Sequence, residues 1–368
     1  MRVIVVGGGI MGSCTAWAAC RAGHEVALYE QGPIPNPLAS STDQHRLIRF
    51  TYGAMTGYAR MVQDAHAAWD RLFADLGRSH YRPTGTLAVA REDGGWVEDS
   101  LRCLADLGVA FERWTPRDLA RRLPFLQLTG ARFALFSPSG GVLFAERILR
   151  DLVRHLTARG VALHRHTAVR HVDPARAAVV TADGREDRGD ALVVAAGPWA
   201  PQLLPALAGR VTPSRQVAVY LEPPADRLAA WRAAPMLLDQ IEATQGGFYA
   251  VPPVDGTALK VGDHGFSLRG HPDREREPTP GEVAAILALA ATRLRNFERY
   301  RVSAARTCFY AVTEDQRFLI QRCEAAWILA GFSGHGFKFG ALIGERIAAA
   351  LAGKLSAEDL GAWAAGQA

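Results

Sequence analysis

Lysine is almost missing from this chain: of 42 basic residues only Lys260, Lys338 and Lys354 are lysine. Where charge alone matters, arginine would serve equally, so a retained lysine hints at a need for a compact point charge. Lys354, near the C-terminus, needs no such reading. Cysteine is also sparse. Cys14, Cys20, Cys103, Cys308 and Cys323 are scattered without C-x-x-C spacing, which excludes a zinc site or a disulfide framework and points to a reducing cytosol. No run approaches the roughly twenty apolar residues of a membrane span. The first strand begins at residue 2 and leaves no room for a signal peptide, so a cytoplasmic location is expected. The net charge is +5, yet there is no Lys/Arg block and no basic stripe with interleaved aromatics, which argues against nucleic acid as a partner. Repeats and low-complexity segments are absent. What remains is a chain of 368 residues, 49% apolar and 21% charged, long enough for two domains with a sizeable core.

Its first thirty residues carry the clearest signal. Arg2–Val6 is a β-branched apolar run that reads as a buried strand, followed by Gly7, Gly9 and Gly12 at G-x-G-x-x-G spacing. Met11–Ala22 reads as a small-residue helix, and His24–Tyr29 as a second strand ending on Glu30. Gly7 would make the tight turn, Gly9 would let the backbone approach a pyrophosphate, and Gly12 would let helix and strand pack closely. The helix N-terminus would offer N–H groups to phosphates and Glu30 would reach ribose hydroxyls. An adenine dinucleotide is expected here, with NAD and FAD not yet separated.

Residues 31–45 read as a loop, after which Arg46 and Arg49 lie among apolar residues and suggest anion contacts. Helices are expected over Tyr58–Leu76, Gly94–Leu107, Thr115–Arg122 and Glu146–Arg159, with a strand at Thr86–Ala90 and a hairpin over Ala134–Phe144. Strands follow at Val161–His164, Ala168–Val172 and Ala178–Thr181. Ala191–Ala195 reads as a buried strand ending in a Gly-Pro turn. It would return the chain beside the first glycine loop and make the nucleotide domain discontinuous. Gln216–Leu221, Phe248–Val251, Leu259–Gly262 and Arg301–Val312 read as strands, Ala225–Trp231 as a short helix, and Thr279-Pro280 as the start of an apolar helix to about Leu294. Finally, the Trp327–Ala330 strand leads into a glycine loop holding Gly331, Gly334, Gly336 and Gly340, and then the Ala341–Leu351 helix. That loop can pass close to a flat ligand, with Lys338 beside it as a fixed cation. His335 has no second ligand at metal spacing, so no metal is expected.

RLIRFTYG at Arg46–Gly53, SGGVLFAE at Ser139–Glu146, AAGPW at Ala195–Trp199, ALKVGDH at Ala258–His264, TCFYAVTED at Thr307–Asp315 and GFSGHGFKF at Gly331–Phe339 occur in this order. With the N-terminal loop, they resemble the monomeric sarcosine oxidase and N-methyltryptophan oxidase family, among the D-amino-acid-oxidase-like flavoproteins. The resemblance implies an α/β plus α+β fold: a discontinuous Rossmann-like FAD-binding domain (residues 1–85, 145–215 and 316–368) and a substrate domain on a mainly antiparallel sheet (86–144 and 216–315). It also implies a monomer without membrane or nucleic-acid partners, acting on a small amino acid with O2.

Residue by residue, the resemblance places Cys308 at the flavin thioether and Lys260 where reduced flavin meets oxygen. Arg49 and Lys338 would hold the substrate carboxylate, and Arg46 would lie against the flavin. His264, Tyr310, His335 and Tyr249 would line the substrate cavity. FAD would touch Gly7, Gly9, Ile10, Met11, Gly12, Glu30, Ser40, Ser41, Arg46, Val169, Ala196, Gly197, Trp199, Cys308, Gly334, Gly336 and Lys338. The implied reaction takes a secondary, N-methylated or cyclic amino acid to an imine, with peroxide released. The alternative is a dehydrogenase of the same amines using another acceptor. No strong general base is evident. His45, Asp263, Gln321 and the stretch Pro235–Gly247 depart from the family pattern, which leaves sarcosine itself unsupported as the substrate.

Overall fold

The computed structural model describes residues 1–239 and 247–367. At its centre is a six-stranded sheet in the order Leu319–Cys323, Ala326–Ala330, Ala191–Val194, Arg2–Val6, Glu25–Tyr29, Ala162–His164. All neighbours are parallel except the first pair. Arg2–Val6 is apolar nearly throughout because both its faces are covered, as parallel sheets require. Val3 and Val5 pack under helices on one side, while Ile4 and Val6 pack under a three-stranded meander of residues 169–188 on the other. The expected returning strand pairs directly with the first, Val3 opposite Ala191 and Val6 opposite Val194.

Helices Ile10–Arg21 and Gly340–Leu351 lie against each other. Their small residues explain the closeness: a Cβ on Gly344 would sit 2.4 Å from the Cys14 carbonyl oxygen. Thr56–Leu76 ends at Gly77 in the left-handed conformation, as the sequence suggests.

An eight-stranded sheet forms the other half of the molecule, in the order Arg301–Val312, Thr212–Glu222, Leu259–Asp263, Phe248–Val251, Met236–Asp239, Thr86–Ala90, Phe133–Ser137, Glu112–Trp114. Its pairings are antiparallel apart from Met236–Asp239 with Thr86–Ala90. Helices Pro116–Arg122, Ala225–Arg232 and Pro280–Ala291 cover one face. Thr115 and Thr279 each close a capping box with the residue three places on.

The hairpin expected over Ala134–Phe144 does not form. Phe133–Ser137 joins the large sheet, whereas Gly141–Leu143 pairs with Arg46–Ile48 and Tyr81–Arg82 in a separate three-stranded sheet. The two strands part at Gly140 and Gly141, where a Cβ would meet the Thr86 side chain at 2.4 Å and the Arg82 carbonyl oxygen at 2.2 Å. Strands Met236–Asp239 and Leu319–Cys323 and the terminal helix Ala357–Ala364 carry too little sequence periodicity to announce themselves. Of the poorly matching stretch Pro235–Gly247, residues 240–246 lie outside the described residues. No described helix is long and apolar enough to cross a membrane.

Candidate active site

A cleft opens at the carboxyl ends of the parallel strands, where doubly wound sheets bind ligands. It holds about 1200 Å³ of empty space, counting the part open to solvent. One end is walled by Glu30, Gln31 and Asn36, the middle by Gly7, Gly9, Ile10, Met11 and Ala195–Trp199, and the far end by Arg46, Tyr310, Gly334 and Gly336. Ser40, Ser41 and Val169 also line it.

The geometry fits a dinucleotide. Gly7 has φ +107° and no room for a Cβ against the Ala195 carbonyl oxygen 2.4 Å away. By contrast, a Cβ on Gly9 would meet only Ser41 Oγ, at 3.1 Å, and otherwise project into the cleft. Ser41 Oγ accepts the Ile10 N–H at 2.9 Å, while no described protein acceptor meets the N–H groups of Gly9 or Met11. Glu30 is buried and pinned by the Gly8 N–H at 2.8 Å and Asn36 Nδ2 at 2.8 Å, so its carboxylate is fixed at the cleft wall. Gly12 lies behind the loop, its Cα tight against the Gly7 carbonyl, so its part is packing, not contact with the cleft.

Beyond Arg46 the site holds two groups of cations. In the first, Lys260 Nζ donates to Asp43 Oδ2 at 2.5 Å. Arg46 donates to the same oxygen, and the Tyr220 hydroxyl donates to Asp43 Oδ1 at 2.5 Å. Arg46 also donates to the Ser40 carbonyl at 2.6 Å. Burial opposes ionisation of Asp43, but Lys260 and Arg46 hold its carboxyl well below the usual range. Burial opposes the charge on Arg46 too, and there Asp43 prevails and raises it. His45 is buried with Nδ1 unpartnered, and burial with the nearby Lys260 lowers its imidazole to about 4.

In the second group no carboxylate of the described residues pairs with the cations. Arg49 stacks over the rings of Tyr52 (4.7 Å) and Trp96 (5.4 Å) and forms no ion pair among the described residues. Lys338 is 4% exposed and donates to Tyr52 Oη at 3.0 Å and to the His335 carbonyl at 3.1 Å. Burial pushes Lys338 well below the usual lysine range, and Arg49 pushes the same way. The Tyr52 hydroxyl donates in turn to His335 Nδ1 (3.2 Å), because His335 Nε2 must carry its proton to reach the Gln316 carbonyl at 2.9 Å. Both ring nitrogens of His335 are therefore engaged, and burial beside Lys338 lowers it to about 3.

Tyr249 and His264 join the two groups. The Tyr249 ring lies 5.9 Å from Lys260 Nζ and 5.4 Å from the His264 ring. His264 has Nε2 buried without a partner, and burial with the Arg49 charge lowers it to about 3. Tyr310 lines the cleft, and its ring occupies the space a Cβ on Gly334 would need, 2.6 Å away. Cys308 precedes it by two on the same strand. Its Sγ lies 3.7 Å from the Ser40 carbonyl and 3.9 Å from Arg46.

Most of the expected cofactor residues line this cleft, whereas Gly12, Arg49, Tyr249, Lys260, His264, Cys308, His335 and Lys338 are not among its walls. Sequence reasoning missed Asp43, Tyr52, Trp96, Tyr220 and Asn36. Tyr52 stands three residues after Arg49 and Asp43 three before Arg46, spacings that give a local hint and nothing about their distant partners. Among the described residues, no group of three or more His, Cys, Asp or Glu is placed to hold a metal ion.

A doubly wound nucleotide half joined to an antiparallel half, with a dinucleotide cleft that has cationic groups beyond one end, fits a flavoprotein-like oxidoreductase. Residues 2–350 match the model of the FAD dependent oxidoreductase family, and the chain belongs to that family. It is 28% identical to monomeric sarcosine oxidase of Bacillus sp. (strain B-0618), covering 96% of this chain and 92% of that one. It is 27% identical to N-methyl-L-tryptophan oxidase of Yersinia pestis (strain Pestoides F), covering 98% and 97%. Among solved structures, L-proline dehydrogenase from P. horikoshii has a TM-score of 0.83 at 20% identity, covering 100% of this chain and 96% of that one. NikD, an amino acid oxidase of nikkomycin biosynthesis, has 0.81 at 20%, covering 97% and 96%. These two likenesses establish the fold.

Proposed function

We propose that this enzyme oxidises the C–N bond of a secondary amino acid, N-methylated or cyclic, to an imine, and passes the electrons to O2 with release of hydrogen peroxide. The carrying observation is the buried pair Arg49 and Lys338, two basic side chains that no carboxylate of the described residues pairs with. Removing the partner of a buried charge costs on the order of 3–5 kcal/mol, so a site built with that deficit favours a carboxylate ligand. The sarcosine, N-methyltryptophan and proline named in the relatives share a carboxylate beside a secondary amine.

FAD would lie along Glu30, Gly7–Met11, Ala196–Trp199 and Val169, with Arg46, Gly334 and Gly336 at its flavin end. When bound it supplies the two-electron acceptor. Arg49 and Lys338 fix the carboxylate and so orient the carbon beside the amine, a positional contribution to rate. Tyr249, Tyr310 and His264 shape the remaining wall, and His335 acts through Tyr52 as a positioning residue. His264 and His335, both held neutral, add no positive charge, and the cationic surroundings favour entry of the neutral amine. Lys260 is the cation assigned to the oxygen step, which supports O2 over another acceptor.

The reading includes the division into a nucleotide domain (1–85, 145–215, 316–368) and a substrate domain (86–144, 216–315). It also includes a thioether from Cys308 to the flavin, a monomeric state and a cytoplasmic location. The strand partition between the two large sheets supports the division, with Thr212–Glu222 crossing its boundary at residue 215, and Cys308 is not engaged in a disulfide.

A peroxide-coupled screen over amino, imino and N-methyl amino acids tests the reaction; peroxide from none of them rejects it. Acid precipitation tests the link. Flavin staying with the pellet, and lost from it in Cys308→Ala, is the expected result, and flavin in the supernatant of the unmodified protein rejects the thioether.

A further inference from the structure

We propose that Asp43 is a positioning residue that keeps Lys260 an ammonium ion and aims it, together with Arg46, at the flavin end of the cleft. The inference rests on the role given to Lys260 above and adds to it the group that makes that role possible. Nothing in the chain's sequence spacing brings these residues together: Asp43 and Lys260 are 217 positions apart.

The argument is geometric. Asp43 is 4% exposed and Lys260 8%. Both oxygens of Asp43 are used, Oδ2 by Lys260 and Arg46 and Oδ1 by the Tyr220 hydroxyl. Its backbone carbonyl is tied as well, accepting the Glu146 N–H at 3.2 Å. The carboxylate therefore has one orientation, and it dictates where both cations stand. The groups facing Lys260 are Asp43, His45 and Arg46 from the segment after Glu30, Tyr220 and Tyr249 from neighbouring strands, and Cys308 and Tyr310 across the sheet. Of these only Asp43 is a carboxylate. Burial pushes the ammonium below the usual lysine range, Asp43 opposes that, and Arg46 adds to it. Without Asp43, two buried cations would face each other with no counter-charge. The compact ammonium, unlike a guanidinium, is free to shed its proton in that situation.

The near-absence of lysine provides a direct test. Only Lys260, Lys338 and Lys354 would report in a protein labelled with 13C at lysine Cε, and Lys260→Met assigns the first. In the unmodified holoenzyme Lys260 is expected to be charged at pH 7, whereas Asp43→Asn should shift its midpoint clearly downward. Asp43→Glu should recover at least half of that shift. A Lys260 already neutral at pH 7 in the unmodified protein overturns the proposal, even if Asp43→Asn does not fold. An unchanged midpoint in a folded Asp43→Asn overturns it too.

Stopped-flow mixing of the reduced enzyme with O2 is the second readout. In Asp43→Asn the reoxidation rate should fall about tenfold per pH unit above the new midpoint and approach the unmodified rate below it. Placed on Lys260→Met, the same change should no longer produce this pH dependence, because the group that titrates is gone. If Lys260→Met alone leaves reoxidation unchanged, the oxygen role of Lys260 fails; the lysine titration still decides whether Asp43 holds its charge.

Discussion

The two cation groups flanking Tyr249 are alike in composition and opposite in bookkeeping. Lys260 and Arg46 share the carboxylate of Asp43, which the fold supplies and fixes with a tyrosine hydroxyl. Arg49 and Lys338 have aromatic faces, a hydroxyl and a backbone carbonyl around them, and among the described residues no carboxylate pairs with them. A buried charge without a counter-ion is unstable by several kcal/mol, so a protein retains it where a ligand completes the pair. On the proposed function, the paired group acts on the cofactor end of the cleft and the unpaired group is the receptor. Charge counting alone would not distinguish them, whereas pairing does.

The largest expected effect separates stability from binding. Arg49→Ala and Lys338→Met should each lower kcat/KM by about 100- to 1000-fold, the cost of truncating one side of a desolvated charge pair. Lys338→Met should nevertheless leave the melting temperature equal or raise it, since it removes an uncompensated buried charge. Asp43→Asn should lower it, since it strands Lys260 and Arg46. Thermal melts of the three variants check this; a marked loss of Tm in Lys338→Met together with none in Asp43→Asn would reverse the assignment of the two groups.

A smaller effect is the pH dependence of ligand binding. Lys338 is held well below the usual lysine range in the free protein, and a carboxylate beside it must raise it. Binding therefore takes up a proton at pH values between the free value and the raised value in the complex. The affinity for a carboxylate lacking an amine should fall about tenfold per pH unit in that window, up to the raised value in the complex. Titration of the flavin absorbance with such a ligand measures it. Lys338→Met should bind weakly and with a flat profile, and an equally steep slope in that variant would place the titrating group elsewhere.

Tyr52→Phe should have the smallest effect. It leaves the ring under Arg49 and removes only the hydroxyl between Lys338 and His335. A hydrogen bond to a charged group contributes about 1.5–3 kcal/mol. With the His335 carbonyl still holding Lys338, the loss in kcat/KM should stay near tenfold at most, read as a rise in KM more than a fall in kcat.

Much of this was legible in the chain because it is local. The glycine spacing after Arg2–Val6, the acid ending the second strand and the Thr-Pro helix starts are encoded within a few residues of where they act. The returning strand at Ala191–Val194 was also readable, since a continuous apolar run suits only a strand covered on both faces. What was not legible is long-range. The motif search found Lys260 and Arg46 but not Asp43, whose polar loop of residues 31–45 gives no sign that it is drawn inside by two cations and Tyr220. Tyr52 reads as one more aromatic beside a helix until Lys338, 286 positions away, is seen on its hydroxyl. The false hairpin at Ala134–Phe144 has the same origin: its turn residues are right for a hairpin, but distant Arg82 and Thr86 claim the space between the strands.

The most direct test is anaerobic mixing of the oxidised enzyme with matched pairs of compounds, each an N-methyl or cyclic amino acid and the amine that lacks its carboxylate. The flavin absorbance should bleach with at least one amino acid of the panel and at least about 100-fold more slowly with its decarboxylated partner. Bleaching at equal rates by the two members of a pair, or by no compound in the panel, would contradict the reading of Arg49 and Lys338 as a carboxylate receptor in an amino acid oxidase.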